Sequence, residues 1–378
     1  MNTSNVERQH YMDWLRVLAM ITIFLFHCAM YFSTIPWHVK NNQQTFAMTV
    51  FVGIVSQWIM PLFFVLSAMS IHHSLDKRKS LRFLGERFKR LIIPLLFGSL
   101  FIIAPLQVWI ERVSFSGFNG SFLNFYLNDY FNGFYGFGGN FAWGGVHLWY
   151  LLVLFLYSLY TLPLFLFLRS NTGVRLTNRI AEIISKPAVI YLMALPIVAA
   201  ELFVNLYPET MGRRDSGGWS MITYLIVFIL GFFITTHENY LAKMEKNRHI
   251  SLLLGILFMC GVLSFYSIQS ESQIFYITKC TAEAFNMWLW LMAILGFGKH
   301  YMNFNNKFLQ YANRAVLPFY IIHQTVIVGL GYIMVDWKLA VIIKYTILSL
   351  SSFLLIMIIY GLVVNRIKFL RFLLGMKA

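Results

Sequence analysis

The sequence predicts an all-α, polytopic membrane protein, a bundle of about ten transmembrane helices with both termini in the cytoplasm. Of the 378 residues, 58% are hydrophobic and only 12% are charged, and the basic residues concentrate in alternate loops. Soluble domains carry about 25% charged residues, so lipid must replace water around much of this chain. The composition therefore excludes a soluble globular protein.

The candidate spans come from hydropathy, because a transmembrane helix needs about 20 mostly apolar residues. Ten segments come close to this length: Asp13 to Phe32, Ala47 to His72, Leu91 to Glu111, His147 to Leu168, Ala188 to Tyr207, Trp219 to Thr236, Ile250 to Ile268, Glu283 to Gly298, Ala315 to Val335, and Leu339 to Val364. Arg16 and His27 interrupt the first segment, and no small-residue cleavage site follows it. We expect this segment to stay in the mature chain.

The lysines and arginines of the connecting segments predict the orientation, because cytoplasmic loops are enriched in these residues. Twenty-two of the 30 lie in one alternating set of loops and six in the other, while Arg16 and Lys344 lie within spans. This alternation predicts one transmembrane domain over residues 1–378 with cytoplasmic ends. The net charge of +15 then reflects topology and contact with membrane lipids, and we expect no nucleic-acid partner.

One long segment, residues 112–146, is expected on the extracytoplasmic side. Twelve of its 35 residues are aromatic, eight are glycine, and only Arg112 and Asp129 are charged. This composition predicts a segment that lies at the lipid interface or folds over the helices. Aromatic faces between glycine hinges suit a lid that stacks on sugars, but a re-entrant interfacial segment without a ligand has the same composition.

The first span carries the most informative polar residues. Arg16 and His27 are eleven residues apart, which places them on one stripe of a helix, about 16 Å apart along its axis. Asp13 lies one turn before Arg16 and can pair with it. Ionisable residues within a membrane usually mark functional sites. A structural role remains an alternative for each residue. Arg16 would reach the cytoplasmic headgroups, and His27 would make a hydrogen bond between helices.

A second motif begins the third span, where Arg87 and Arg90 share one helix face. Two guanidinium groups at the cytoplasmic boundary suit a phosphate-rich ligand, because each binds an anion through two hydrogen bonds. Anchoring to anionic lipid explains the same residues.

Further polar candidates lie within or beside the spans. Glu201 is expected near the depth of His27, where a carboxylate orients or stabilises an imidazole. The remaining candidates are one histidine and one tryptophan at the start of the fourth span, one glutamate opening the eighth and one histidine in the ninth: His147, Trp149, Glu283 and His323. A structural hydrogen bond is the alternative role for Glu201, Glu283 and the two histidines. The three cysteines have no paired spacing, so we expect neither a disulfide framework nor a metal site.

The order of these motifs resembles the integral-membrane acyltransferase family 3. The pattern is Asp-x-x-Arg followed by His27 in the first span, and Arg-x-x-Arg at the inner end of the third. Further landmarks of the resemblance, in order along the chain, are Trp37 with His38, Pro61 to Ser67, His147 to Leu151, and Leu317 to His323. Ala68 stands where the family usually has glycine.

The resemblance implies a membrane O-acyltransferase of a bacterial-type plasma (inner) membrane. It would move an acetyl or succinyl group from cytoplasmic acyl-coenzyme A to a hydroxyl of a glucan or another surface carbohydrate. Arg16, Arg87 and Arg90 would hold the donor, His27 would act as general base or carry the acyl group, and Glu201 would support it. His147, Trp149, Glu283 and His323 would lie along the path of the acceptor. No metal is implied, and protein partners are unknown.

Two other classes of function fit the residues. A proton-coupled transporter of a polar or anionic solute would use the buried histidines and glutamates as a relay, and broken helices in inverted repeats would support it. A membrane scaffold without activity would leave the shared stripe of Arg16 and His27 unexplained.

Overall fold

A computed structural model describes residues 9–206, 217–266, 268, 270 and 272–376. Over these ranges the chain is helical apart from turns, loops and isolated β-bridge positions such as the pair Phe134 and Phe141. The predicted all-α class is therefore confirmed. The bases Arg8, Arg213, Arg214 and Lys377, which contributed to the predicted orientation, lie outside the described residues.

The α-helices, numbered in chain order, are α1 His10–Met30, α2 Phe46–Ser56, α3 Ile59–Asp76, α4 Ser80–Leu100, α5 Ile103–Phe115, α6 Phe122–Asn128, α7 Trp149–Tyr160, α8 Leu162–Leu168, α9 Asn171–Ile184, α10 Leu195–Leu206, α11 Met221–Phe233, α12 Glu238–Phe265, α13 Gln273–Tyr301, α14 Lys307–Ile333, α15 Val341–Ile358 and α16 Lys368–Leu373. Short 3₁₀ helices precede α7 at Val146–Leu148 and α10 at Val189–Ala194, and a π-helix at Ile359–Val364 extends α15.

The described residues contain six helices that are long and apolar enough to cross a membrane, and eight if two bent pairs each count as one span. The protein is therefore a multi-pass membrane protein. Two of the ten predicted spans, the fifth and the sixth, correspond to shorter apolar helices at Val189–Asn205 and Met221–Phe233. The predicted end of the fifth span, Tyr207, lies outside the described residues.

The third and fourth predicted spans are bent, by 40° between α4 and α5 and by 50° between α7 and α8. Proline explains both breaks, because its ring collides with the carbonyl four residues earlier and it donates no hydrogen bond. Pro105 stands in the first turn of α5, four residues after the non-helical Phe101. Pro163 stands in the first turn of α8.

The predicted start of the eighth span is wrong. Glu283 does not open the helix but lies ten residues inside α13, which begins at Gln273. Likewise α12 begins at Glu238, well before the predicted Ile250. Hydropathy locates only the apolar part of a helix, and both helices continue through polar residues beyond that part.

The chain divides into two compact units. The first comprises residues 1–19, 56–78 and 160–313, and the second comprises residues 20–55, 79–159 and 314–378. Helix α1 contributes its first half to the first unit and its second half to the second. Of the predicted site residues, Asp13, Arg16, Glu201 and Glu283 therefore belong to the first unit, and the others belong to the second.

Close packing of α3 with α11 organises the first unit. A side chain at Gly231 would collide with the backbone of Val65, so the absence of a Cβ lets these helices approach each other. The rings of Phe165 and Phe232 stack with centroids 3.8 Å apart. The long helices α12 and α13 pack side by side in the same unit.

In the second unit, the aromatic segment of residues 112–146 is hydrogen-bonded to α4 and α5 and packs against α5. Tyr130 donates a hydrogen bond to the Ser99 carbonyl (2.6 Å), and Trp109 donates to the Gly120 carbonyl (3.0 Å). Phe125 and Tyr130 are fully buried in a core that this segment shares with α5. Its central part therefore has a fixed position on the helices.

Candidate functional site

The centre of the site is a contact between two histidines of the second unit. His27 on α1 and His323 on α14 approach each other with Nδ1 of His27 2.9 Å from Nε2 of His323. One turn earlier on each helix, Phe24 and Phe319 pack edge to face with centroids 5.5 Å apart. This aromatic pair holds the two helices in the register that brings the imidazoles together.

The positions of the protons on the two imidazoles follow from the hydrogen bond between His323 and the Tyr320 carbonyl. Nδ1 of His323 lies 2.6 Å from the Tyr320 carbonyl oxygen, and because a carbonyl only accepts, this nitrogen must carry a proton. In the neutral ring, Nε2 of His323 is then an acceptor, so Nδ1 of His27 donates to it. The proton of neutral His27 is therefore on Nδ1, and the lone pair is on Nε2. His323 is fully buried, whereas His27 is partly exposed.

His147 joins the pair, with its ring centroid 5.3 Å from that of His323. Its position depends on an unusual backbone, because Gly145 and Val146 both have positive φ angles, 72° and 57°. Nε2 of His147 lies 3.1 Å from the Ile321 carbonyl and 3.2 Å from the Tyr320 carbonyl. This nitrogen is therefore protonated, and the imidazole donates a hydrogen bond to these carbonyl groups of α14.

A buried polar network supports His147 from α5 and α14. The Gln107 amide nitrogen lies 3.3 Å from Nδ1 of His147 and donates to Thr325 Oγ1 at 2.7 Å. The Gln324 amide donates to the side-chain oxygen of Gln107 at 3.0 Å. Buried polar networks of this kind hold their members in one arrangement. Trp149, which opens α7 two residues after His147, is partly exposed.

A second cluster adjoins His27 and was not assigned a role from the sequence. The indole of Trp37 stacks on the His27 ring, with centroids 6.1 Å apart and planes 12° apart. The next residue, His38, lies with Nδ1 2.5 Å from a carboxylate oxygen of Glu111. Trp37 and His38 were noticed in the sequence only as landmarks, and the partner Glu111 is 73 residues away, beyond the reach of motif spacing.

The Glu111 carboxylate also connects this cluster to the aromatic segment. Tyr135 donates to the same oxygen at 2.7 Å, and Arg112 lies 3.6 Å from the other oxygen. Burial, and next the Glu111 charge, raise the pKa of the Tyr135 phenol, which therefore stays protonated as the donor. Arg112 in turn donates to Asn140 Oδ1 (2.8 Å) and to the Gly139 carbonyl (3.0 Å).

In the first unit, Arg16 makes the ion pair that the sequence predicts, with Nη1 2.7 Å from Asp13 Oδ1. Its Nη2 donates to the Ser70 hydroxyl and to the Leu66 carbonyl of α3. The Arg16 side chain is 24% exposed, so it stays partly accessible while it connects α1 to α3. Its role towards a donor stays a prediction.

Arg87 and Arg90 lie on α4 in the second unit. The Arg87 guanidinium stands over the Phe83 ring, 5.3 Å from its centroid. Arg90 is exposed, and its Nε lies 3.4 Å from the carbonyl of Gly375. Gly375 needs to be glycine here, because its φ is +69° and a side chain would collide with α4. The C-terminal segment therefore packs beside this basic motif.

The two glutamates are fully buried in the first unit. Glu201 accepts a hydrogen bond from the Thr223 hydroxyl and lies 3.4 Å from the Asn205 amide. Glu283 accepts from Tyr266 at 3.4 Å. The expected partnership of Glu201 with His27 stays a prediction, as does a role for Glu283 towards the acceptor.

The described residues include one cluster with the donor atoms of a metal site, formed by His72, His73 and Asp76 at the end of α3. One ligand atom from each lies within 4.8 Å of the others. Arg169 already pairs with Asp76 at 2.6 Å, so a divalent cation would compete there with a fixed positive charge. The expectation that no metal takes part stays a prediction.

Comparison with known proteins identifies the protein family to which the chain belongs. The model of acyltransferase family 3, described as an acyltransferase domain, matches residues 9–361 and so includes both units. The chain belongs to this family. Membership in acyltransferase family 3 makes the protein a membrane-embedded transferase and favours the enzyme over the transporter and the scaffold.

Curated proteins are similar to this chain over most of its length. The chain is 22% identical over 343 residues to "Glucans biosynthesis protein C" of Escherichia coli strain SMS-3-5 and to the protein of the same name from Shigella dysenteriae serotype 1. The Escherichia coli O157:H7 relative is 23% identical over 341 residues. Each match covers 88% of this chain and 85% of the relative. No solved structure is significantly similar to the chain.

Proposed function

We propose that the protein transfers an acyl group, acetyl or succinyl, from cytoplasmic acyl-coenzyme A to a hydroxyl of an extracytoplasmic glucan or another surface carbohydrate. One observation carries the proposal: the hydrogen bonds of His323 leave a lone pair on Nε2 of the partly exposed His27. An unprotonated imidazole nitrogen in a membrane acyltransferase is suited to take the proton of an acceptor hydroxyl. Relatives named for glucan biosynthesis support a glucan as the acceptor.

In the proposed reaction, the acceptor oxygen attacks the thioester carbonyl of the donor while Nε2 of His27 takes the hydroxyl proton. The new ester bond forms, the carbon–sulfur bond breaks, and the imidazolium returns its proton to the leaving thiolate. His323 stabilises the imidazolium by accepting the Nδ1 hydrogen bond throughout. If His27 instead carries the acyl group for a time, the same lone pair makes the attack.

The donor would bind from the cytoplasmic side. Coenzyme A carries phosphates at its nucleotide end, and Arg87 with Arg90 presents two guanidinium groups on one face of α4. Arg16 would hold the donor further along its path, because Asp13 and Ser70 fix the guanidinium while 24% of the side chain stays exposed. Anionic coenzyme A is then positioned by fixed charges before its thioester reaches His27.

The acceptor would approach from the opposite side, where Trp37 and His38 adjoin His27. An indole face is a good platform for the C–H face of a sugar ring, and His38 with its Glu111 partner supplies a charged hydrogen-bonding group beside it. His147, Trp149 and Glu283 are proposed along this path. The Glu201 carboxylate stays a candidate to stabilise the imidazolium of His27.

We further propose ten spans with both termini cytoplasmic, in a bacterial-type plasma (inner) membrane. Six long helices, two bent pairs and two shorter apolar helices together make ten segments. The alternation of basic loops supports cytoplasmic ends. With this topology α1 crosses from the side of Arg16 to the side of His27, so that donor and acceptor meet from opposite faces.

A direct assay tests the proposed reaction. Purified protein in lipid nanodiscs would receive acyl-coenzyme A with a radiolabelled acyl group and gluco-oligosaccharides as acceptors. The proposal expects labelled, alkali-labile ester on the saccharide and free coenzyme A in equal amounts. Release of coenzyme A without labelled saccharide, or no consumption of either acetyl- or succinyl-coenzyme A, would contradict it.

A further inference from the structure

A cavity of about 630 Å³ opens in the second unit beyond the last turns of α1 and α14. Its walls are the loop after α1, the connection from α14 to α15, and the first turn of α15, with the lining residues Asn42, Gln43, Asp336, Trp337, Lys338, Leu339, Ala340 and Lys344. Specific small-ligand sites have volumes of about 300 to 1,000 Å³. The size is therefore that of a binding site.

The most informative group in this wall is the ammonium of Lys344. Lys344 is only 1% exposed, and its Nζ donates to the Asn41 side-chain oxygen at 2.7 Å. An ammonium has three N–H donors, and a buried charge is costly without hydrogen-bond partners. The Lys344 ammonium can therefore donate to a ligand in the cavity that it lines as well as to Asn41.

The cavity has a rigid frame. The Asn42 amide donates to the Val335 carbonyl at 3.1 Å, and the Asn41 amide donates to the Gln43 carbonyl at 2.6 Å. Tyr31 donates to the Gly331 carbonyl at 2.8 Å and so joins the end of α1 to α14. A site that is ordered before binding loses less entropy when the ligand arrives.

The lining chemistry favours a saccharide over other ligands. Trp337 exposes 42% of its surface and supplies an aromatic face. Asp336 supplies acceptors, and the lysines and amides supply donors, which matches hydroxyl groups that donate and accept at once. An acyl chain would leave these polar groups unpaired, and a simple anion would meet the Asp336 carboxylate.

We propose that this cavity is a saccharide-binding subsite that holds a part of the acceptor chain remote from the reacting hydroxyl. The inference rests on the proposed function, because it takes a carbohydrate as the acceptor. From His323 to the end of α14 at Ile333 the helix rises about 15 Å. The subsite is therefore separated from His27 by the length of several sugar units and engages only acceptors longer than a disaccharide.

The test compares a gluco-disaccharide with a gluco-octasaccharide as acceptors for the wild type and for Trp337→Ala. For the octasaccharide, the subsite predicts a rise in KM of about tenfold, the worth of one aromatic contact, with kcat unchanged. For the disaccharide, it predicts no change in either constant. Trp337→Phe should restore most of the octasaccharide affinity, and Asp336→Asn should raise the same KM.

Tyr160→Ala serves as the control, because Tyr160 is an aromatic residue of 71% exposure that does not line the cavity. An unchanged octasaccharide KM in Trp337→Ala, or an equal loss for both acceptors, would overturn the subsite. Direct binding of fluorescently labelled octasaccharide keeps the two proposals apart. If the wild type acylates no saccharide yet binds this probe in a Trp337-dependent way, the proposed function fails and the subsite stands.

Discussion

Nδ1 of His27 lies 2.9 Å from Nε2 of His323, and Nδ1 of His323 donates a hydrogen bond to the backbone carbonyl of Tyr320. These two hydrogen bonds set the tautomer of His27 through a neutral imidazole. A buried carboxylate would attract the proton of the imidazolium strongly, whereas a neutral histidine orients the ring at a lower electrostatic cost. The arrangement therefore favours an imidazole that easily returns its proton to the leaving thiolate.

The role of His323 as a positioning residue leads to the first prediction. In His323→Leu, Nδ1 of His27 loses its acceptor, and we expect kcat to fall about 10²-fold with little change in the KM for acyl-coenzyme A. In His323→Gln, the side-chain oxygen can replace Nε2 as acceptor and should recover much of kcat. Steady-state kinetics of both variants, with their Tm values, provide the check. Equal kcat values in the two variants would contradict the role.

The second prediction concerns Arg87 and Arg90. Each charge-assisted hydrogen bond to a phosphate contributes about 1.5 to 3 kcal/mol, so Arg87→Ala and Arg90→Ala should each raise the KM for acyl-coenzyme A about tenfold. Lys89→Ala is the matched control, because this base stands on the same helix between them. An unchanged donor KM in the double variant, or the same rise in the control, would place the donor site elsewhere.

His38 and Glu111 give the third prediction. Glu111→Gln keeps a hydrogen-bond acceptor but removes the charge that faces His38. We expect the KM for the acceptor to rise about tenfold, since charge-assisted hydrogen bonds are worth about 1.5 to 3 kcal/mol, while the KM for the donor stays unchanged. Kinetics with each substrate varied in turn separate the two constants. A lower Tm with normal kinetics would instead assign the pair a purely structural role.

The fourth prediction is topological. After replacement of the exposed Cys260 by alanine, the remaining native cysteines, Cys28 and Cys280, are both buried. Variants with one added cysteine, at Lys79 or at Phe137, would then be treated with a membrane-impermeant maleimide in intact cells. Phe137 is 86% exposed in the aromatic segment, and Phe137→Cys should react at once. Lys79→Cys should react only after the membrane is permeabilised. The reverse pattern would invert the proposed orientation, and labelling of both in intact cells would change the number of spans.

Much of the fold could be predicted because its causes are local. Apolar stretches marked the six long helices and the two bent pairs, and the periodicity of a helix placed Asp13 beside Arg16. Helix ends such as Gln273 could not be predicted, because a helix continues beyond its apolar part. The bends at Pro105 and Pro163 had a visible local cause but were hidden within continuous apolar runs.

The three central histidines of the site were predictable from the sequence, but their contacts and the adjoining cluster of Trp37, His38 and Glu111 were not. His27, His147 and His323 stood out as ionisable groups in apolar helices, and the structure brings all three together. A partnership of Glu201 with His27 was expected from depth alone and stays a prediction, because depth gives no information about which helices are neighbours. The pairing of His38 with Glu111 depends on tertiary structure over 73 residues, which spacing along one chain does not contain.

The central claim is that Nε2 of His27 handles the proton of the acceptor hydroxyl. The decisive measurement is the rate of acyl transfer from acyl-coenzyme A to a gluco-oligosaccharide by purified His27→Ala and His27→Gln, each shown by its Tm and by donor binding to be folded. Loss of a general base lowers rates about 10²- to 10⁴-fold, and we expect a fall of this size in both variants with donor affinity retained. Transfer at the wild-type rate by either folded variant would contradict the account.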